Sequence, residues 1–174
     1  MTETAHTTRG RPTAGPVRWW HAVLFWMLVN APSLLTRDTS IPFDGYVVAP
    51  LQPPAWVFPV VWFILNVFQL WGDVRLLNRR EGIRHWTALV LLQAALWVIF
   101  ATFTTVYFTL GSPILAAVWT IAFFVLASLS IALVWHDDRA VALSWVPLIL
   151  WSGFASAVAV QQALLNPDRV FGGV

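Results

Sequence analysis

Five apolar runs, each about as long as a lipid bilayer is thick, take up most of this chain: residues 17–35, 54–77, 85–110, 113–135 and 139–165. A membrane span needs roughly 20 apolar residues in a helix, because the hydrocarbon core offers the backbone no hydrogen-bond partner outside the chain. Charged residues make up 10% of the sequence and hydrophobic residues 59%, where a soluble domain carries about 25% charged residues. So few charges cannot cover a water-facing surface of this size. The expected fold is an all-α membrane protein, a single bundle of five transmembrane helices spanning residues 17–166. Residues 1–16 read as a polar flexible tail and 167–174 as a C-terminal tail. A basic start followed by an apolar run also fits a signal peptide, but the run from Val17 to Leu35 has the length of a span and Ala31-Pro32 is a poor cleavage site.

The arginines orient the spans. All ten basic residues are Arg. Five helices put the N-terminus, the second turn and the fourth turn on one side, with Arg9, Arg11, Arg18, Arg75, Arg79, Arg80, Arg84 and Arg139. Only Arg37 and Arg169 fall on the other. Cytoplasmic ends are enriched in Arg and Lys. The N-terminus is therefore expected in the cytoplasm, with the C-terminus and the long first loop (36–53) outside. That loop is long for a compact domain and suits a lid.

Much chemistry is excluded. There is no cysteine, hence no disulfide or thiolate site. His6, His21, His85 and His136 are scattered, with no spacing for a protein-ligated metal, and no phosphate-binding or nucleophile-elbow motif occurs. Nucleic acid is not an expected partner, because the arginines flank spans and form no aromatic-interleaved patch. The acidic residues read as lying at span boundaries or in loops, which argues against ion-coupled transport. Asp73 and Arg75, near the end of the second run, are expected to snorkel to the interface.

What the chain does supply is aromatic surface. Trp and Phe occur 12 times each, more than interfacial belts require. In the second run Phe58, Trp62 and Asn66 fall at i, i+4 and i+8, on one helix face. In the third, Gln93, Trp97, Phe100, Thr104 and Tyr107 form a stripe, and in the fifth Trp151, Ala155, Val158 and Gln162 form another. Each is also the composition of an ordinary helix contact face, and the polar members suit interhelical hydrogen bonds. Three aromatic faces with sparse polar groups favour a small-molecule pocket. Small residues recur at i, i+4 in the fourth and fifth runs, as close helix packing within a bundle or across a dimer requires.

Two stretches carry a resemblance. Pro53-Pro54-Ala55-Trp56-Val57-Phe58-Pro59-Val60-Val61-Trp62 and Pro147-Leu148-Ile149-Leu150-Trp151-Ser152-Gly153-Phe154-Ala155, in that order among five spans, resemble motifs of the TspO/MBR family of tryptophan-rich sensory or translocator proteins. The likeness covers roughly residues 17–166. It implies a five-helix bundle in a bacterial inner membrane, usually a homodimer, that acts as sensor or carrier. It also implies a pocket beneath the first loop, containing Phe58, Trp62, Trp151 and Ala155, that takes porphyrin, haem or sterol-like lipid; no cofactor is required. With the aromatic faces, the candidate ligand-binding set is Phe58, Trp62, Asn66, Trp97, Phe100, Trp151 and Ala155, with no catalytic residue. The third-helix run is Trp97-Val98-Ile99-Phe100 where the family has a second Trp, and Leu148 stands where it has Tyr. These exchanges remove hydrogen-bonding groups and favour a more apolar ligand, such as an isoprenoid. Alternative roles are an assembly subunit of a larger membrane complex and a porphyrin-degrading activity.

Overall fold

The computed structural model describes residues 15–35 and 46–172. The first part of the long loop, 36–45, and most of the N-terminal tail lie outside the described residues. Among the described residues five α-helices follow one another: α1 (Trp19–Leu35), α2 (Val57–Asn78), α3 (Trp86–Thr104), α4 (Pro113–Val134) and α5 (Arg139–Leu165). The last four, α3 being extended by a π-turn over Thr105–Thr109, are long and apolar enough to cross a membrane. At 17 residues α1 is the shortest.

Local chemistry sets the boundaries. Pro53 and Pro54 lie in the turn before α2, where the Val57 N–H bonds the Pro54 carbonyl at 2.9 Å, so α2 starts three residues later than the sequence suggests. Gly111, at φ 61°, breaks the chain after the π-turn. Ser112 then caps α4, its Oγ accepting the Leu115 N–H at 3.1 Å, with Pro113 in the first turn. Residues 167–172 are docked on this same turn. The Asp168 carboxylate, 3% exposed, accepts the Ser112 hydroxyl at 2.6 Å and the Ile114, Val170 and Phe171 N–H groups at 2.9–3.0 Å.

The helices pack in the cyclic order α1, α2, α5, α4, α3, with α2 and α3 also touching. The closest pair is α4 with α5. Ala116, Ala127 and Ser130 of α4 and Ser152 and Ala159 of α5 are buried, so the small-residue rows serve packing within the bundle. Against α5, α2 approaches at Gly72, where a Cβ would lie 2.4 Å from Ser144 Oγ and 2.6 Å from Trp145 Nε1. Trp145, Val141, Leu76 and Leu89 form one core layer, and Leu65, Leu96, Phe123 and Leu148 form a second.

An ionic node closes the Arg-rich end. Asp138, its side chain 4% exposed, caps α5 by accepting the Ala140 and Val141 N–H groups at 3.0 and 3.3 Å. The same carboxylate takes Arg75 Nε at 2.8 Å and Arg79 Nη1 at 3.1 Å. Beside it, Asp137 accepts both the backbone N–H and Nε of Arg84 at 3.0 Å. Burial alone would raise the Asp138 carboxyl, but the hydrogen bonds from Arg75 and the α5 N-terminus, with the Arg75 charge, hold it below the usual carboxylate range.

Two predictions follow from this packing. Asp138→Ala removes the cap and leaves Arg75 unpaired, so it is expected to cost about 2–3 kcal/mol as a lower Tm in detergent. Because the folded-state carboxyl is depressed, its contribution is complete above about pH 4 and fades on further acidification. Wild type should therefore approach the variant's Tm at low pH and exceed it near neutrality. Gly72→Ala is expected to cost about 1–3 kcal/mol by overpacking, whereas Gly82→Ala, with nothing within 4 Å of its Cβ, leaves Tm nearly unchanged.

Candidate functional site

The candidate residues on α2, α3 and α5 lie in and around the second core layer. Trp62 and Trp151 both pack against the Leu65–Leu148 cluster, as does Phe100. Trp62 meets Phe100 with ring centroids 5.3 Å apart and Phe123 edge-on at 5.6 Å. Phe58 meets Trp151 edge-on at 5.9 Å. Such offset and edge contacts are the favoured aromatic geometry. Ala155 is half-buried one turn beyond Trp151. Phe123 on α4 is a partner that sequence spacing did not reveal, since its face, with Thr120, Ala127 and Ser130, reads as a small-residue packing row.

Trp97 joins this group at one side and leaves it at the other. Its ring meets Phe100 edge-on at 5.7 Å and Phe25 of α1 edge-on at 5.2 Å. Its indole Nε1 donates to Asp73 Oδ2 at 2.8 Å. Asp73 therefore does not snorkel, and the expectation that carboxylates keep to the span ends is corrected. The helix α2 runs to Asn78, five residues past Asp73. Asp73 also lies four residues after Gln69, on the inward face, where helical side chains lean back along the axis into the bundle.

Polar groups on these faces are incompletely satisfied. Gln69 Nε2 donates to Gln93 Oε1 at 3.0 Å across α2 and α3. Asn66 Oδ1, Asp73 Oδ1, Gln93 Nε2, Trp145 Nε1 and Trp151 Nε1 are inaccessible and have no partner among the described residues. An unmade hydrogen bond on a buried group costs about 1–3 kcal/mol. Asn66 Oδ1 and Trp151 Nε1 belong to the candidate set, and they give its apolar surroundings one acceptor and one donor without partners.

The described part of the first loop is strapped to the opposite end of the bundle from the ionic node. Asn166, 1% exposed, accepts the Val47 N–H at 2.7 Å and returns a bond to the Val47 carbonyl at 2.9 Å. Leu51 N–H reaches Gln161 Oε1 at 3.3 Å, and Gln162 donates to Gln52. Tyr46 bonds Gln52 at 3.2 Å and also Tyr107, at the π-turn that ends α3. Burial raises the Tyr46 hydroxyl pKa despite the bond to Tyr107, so Tyr46 stays protonated near neutrality. Gln162 and Tyr107 were legible as members of helical stripes. Their loop partners and Asn166 were not, because the bonds join residues up to 119 positions apart.

No curated protein matches this chain. The family model that matches, the TspO/MBR family, covers residues 21–164, a stretch that contains α2 to α4, nearly all of α1 and α5, and every candidate residue. The chain is an integral membrane protein that belongs to the TspO/MBR family.

Proposed function

We propose that this protein crosses a bacterial inner membrane five times and binds a tetrapyrrole or an apolar lipid among Phe58, Trp62, Asn66, Trp97, Phe100, Trp151 and Ala155, acting as sensor or carrier. The observation that carries the reading is the pairing of an aromatic cluster with two buried, unpartnered polar atoms, Trp151 Nε1 and Asn66 Oδ1. Aromatic walls with a few unsatisfied polar groups suit a flat or elongated apolar ligand carrying one or two polar substituents. The strap from Tyr46 to Gln52 supports a lid role for the first loop. Apolar α1 supplies the fifth span at the short end of the spanning range, and the eight-to-two division of arginines supports a cytoplasmic N-terminus. A homodimer is part of the proposal.

The test is binding to the purified protein followed by tryptophan emission. Porphyrin is expected to quench saturably, with Trp62→Ala and Trp151→Ala each weakening binding about tenfold. Trp19, 74% exposed, is the control, and Trp19→Ala should leave binding unchanged. Equal losses at all three positions would overturn the pocket assignment. Asn166→Ala removes the strap's strongest anchor. It is expected to speed amide exchange at Val47 and to raise the ligand dissociation rate more than the association rate.

A further inference from the structure

We propose a second ligand site, in the cleft between α1, α2 and α3, that takes a lipophilic amine: an apolar body with a single ammonium head. The cleft has a volume of about 510 Å³, within the usual small-molecule range of roughly 300–1,000 Å³. Phe25, Val29, Leu70, Val90 and Val98 give it apolar walls, and Asp73, Gln93, Trp97 and His21 are its polar lining. The aromatic cluster shares only Trp97 with it.

The floor of the cleft is chemically unfinished. Asp73 is a carboxylate within an apolar span, and Trp97 Nε1 satisfies only its Oδ2. The Oδ1 atom is inaccessible and without a partner. A carboxylate accepts up to about four hydrogen bonds, and a buried one left unpaired is costly. The arginines that follow it on α2 are engaged elsewhere, since Arg75 and Arg79 both bond Asp138 at 2.8 and 3.1 Å. One turn of α3 before Trp97, Gln93 is 5% exposed. Its Oε1 is taken by Gln69, while its Nε2 donors have no partner. His21 adds no cation bonded to Asp73: its Nδ1 accepts the Arg18 N–H at 2.9 Å, which leaves Nε2 as the ring donor.

These groups select the head. An ammonium, once the Asp73 side chain turns its Oδ1 to the cleft, donates to that oxygen and balances its charge. An oxygen next to the amine, as in an amino alcohol, also accepts from Gln93 Nε2. A neutral lipid chain fills the walls but satisfies neither the charge nor the donor. At the Arg-rich end the cleft is bridged by a reciprocal clamp, in which Val17 N–H donates to Asn78 Oδ1 and Asn78 Nδ2 donates to the Val17 carbonyl, both at 2.8 Å.

The full chain in phosphatidylcholine nanodiscs is titrated with dodecylamine and with dodecanol, with tryptophan emission as readout and empty discs as the blank. Dodecylamine is expected to bind saturably and at least tenfold more tightly than dodecanol. Asp73→Asn, which keeps an acceptor for Trp97, should abolish that difference. Trp62→Ala should preserve it, which separates this site from the aromatic one. Ala94→Trp, which adds bulk at an exposed lining position and leaves the Asp73 side chain itself unchanged, should eliminate amine binding while Tm stays within a few degrees of wild type. Equal binding of amine and alcohol to wild type, or undiminished amine binding in either cleft variant, overturns the proposal.

Discussion

The carboxylate of Asp138 holds the geometry on which the rest of the bundle depends. One side chain accepts two backbone N–H groups at the start of α5 and two guanidinium groups from the end of α2. Apolar surfaces alone do not fix the rotation or depth of a helix among other helices in lipid, where no hydrophobic force drives them together. A directional ionic contact at one end does. It sets α2 against α5 in the register that brings Gly72 onto Ser144 and Trp145, and from there the two core layers stack in order.

The two ends of the bundle are then held by different chemistry. At the Arg-rich end the bonds are ionic, joining the end of α2 and the turn after it to the α4–α5 turn through Asp137 and Asp138. At the other end they are neutral amide and hydroxyl bonds, centred on Asn166, Gln162 and Tyr46, and they fasten a loop rather than a helix. Neutral bonds of this kind contribute about 1 kcal/mol each, so the loop end is the one that can open at modest cost. At that end a carboxylate, Asp168, docks the C-terminal residues on the turn between α3 and α4.

Between the ends, the interior divides at Trp97. On one side its ring packs against Phe100 and the cluster that includes Trp62; on the other it meets Phe25 and bonds Asp73. Among the described residues five unpartnered polar atoms lie on α2, α3 and α5, Trp145 Nε1 in the first core layer being the fifth. Well-packed interiors rarely leave such groups unmet.

The order of the helices was legible in the sequence because the bilayer imposes length and composition on each span, and Pro53-Pro54, Gly111-Ser112-Pro113 and Asp138 mark breaks with local chemistry. The family was legible from two proline–tryptophan runs, as was the sharing of a face by Phe58, Trp62 and Asn66, which follows from helical periodicity alone. The tertiary structure decided which faces meet. Asp73 reads as a boundary residue from its position, yet it is turned inward onto Trp97 because α2 continues beyond it and its neighbour on that face, Gln69, is already paired with Gln93. The pairing of Asn166 with Val47 and the cleft beside α1 depend on contacts between segments far apart in the chain. Periodicity specifies a residue's direction from its own helix axis, and only packing decides what stands opposite.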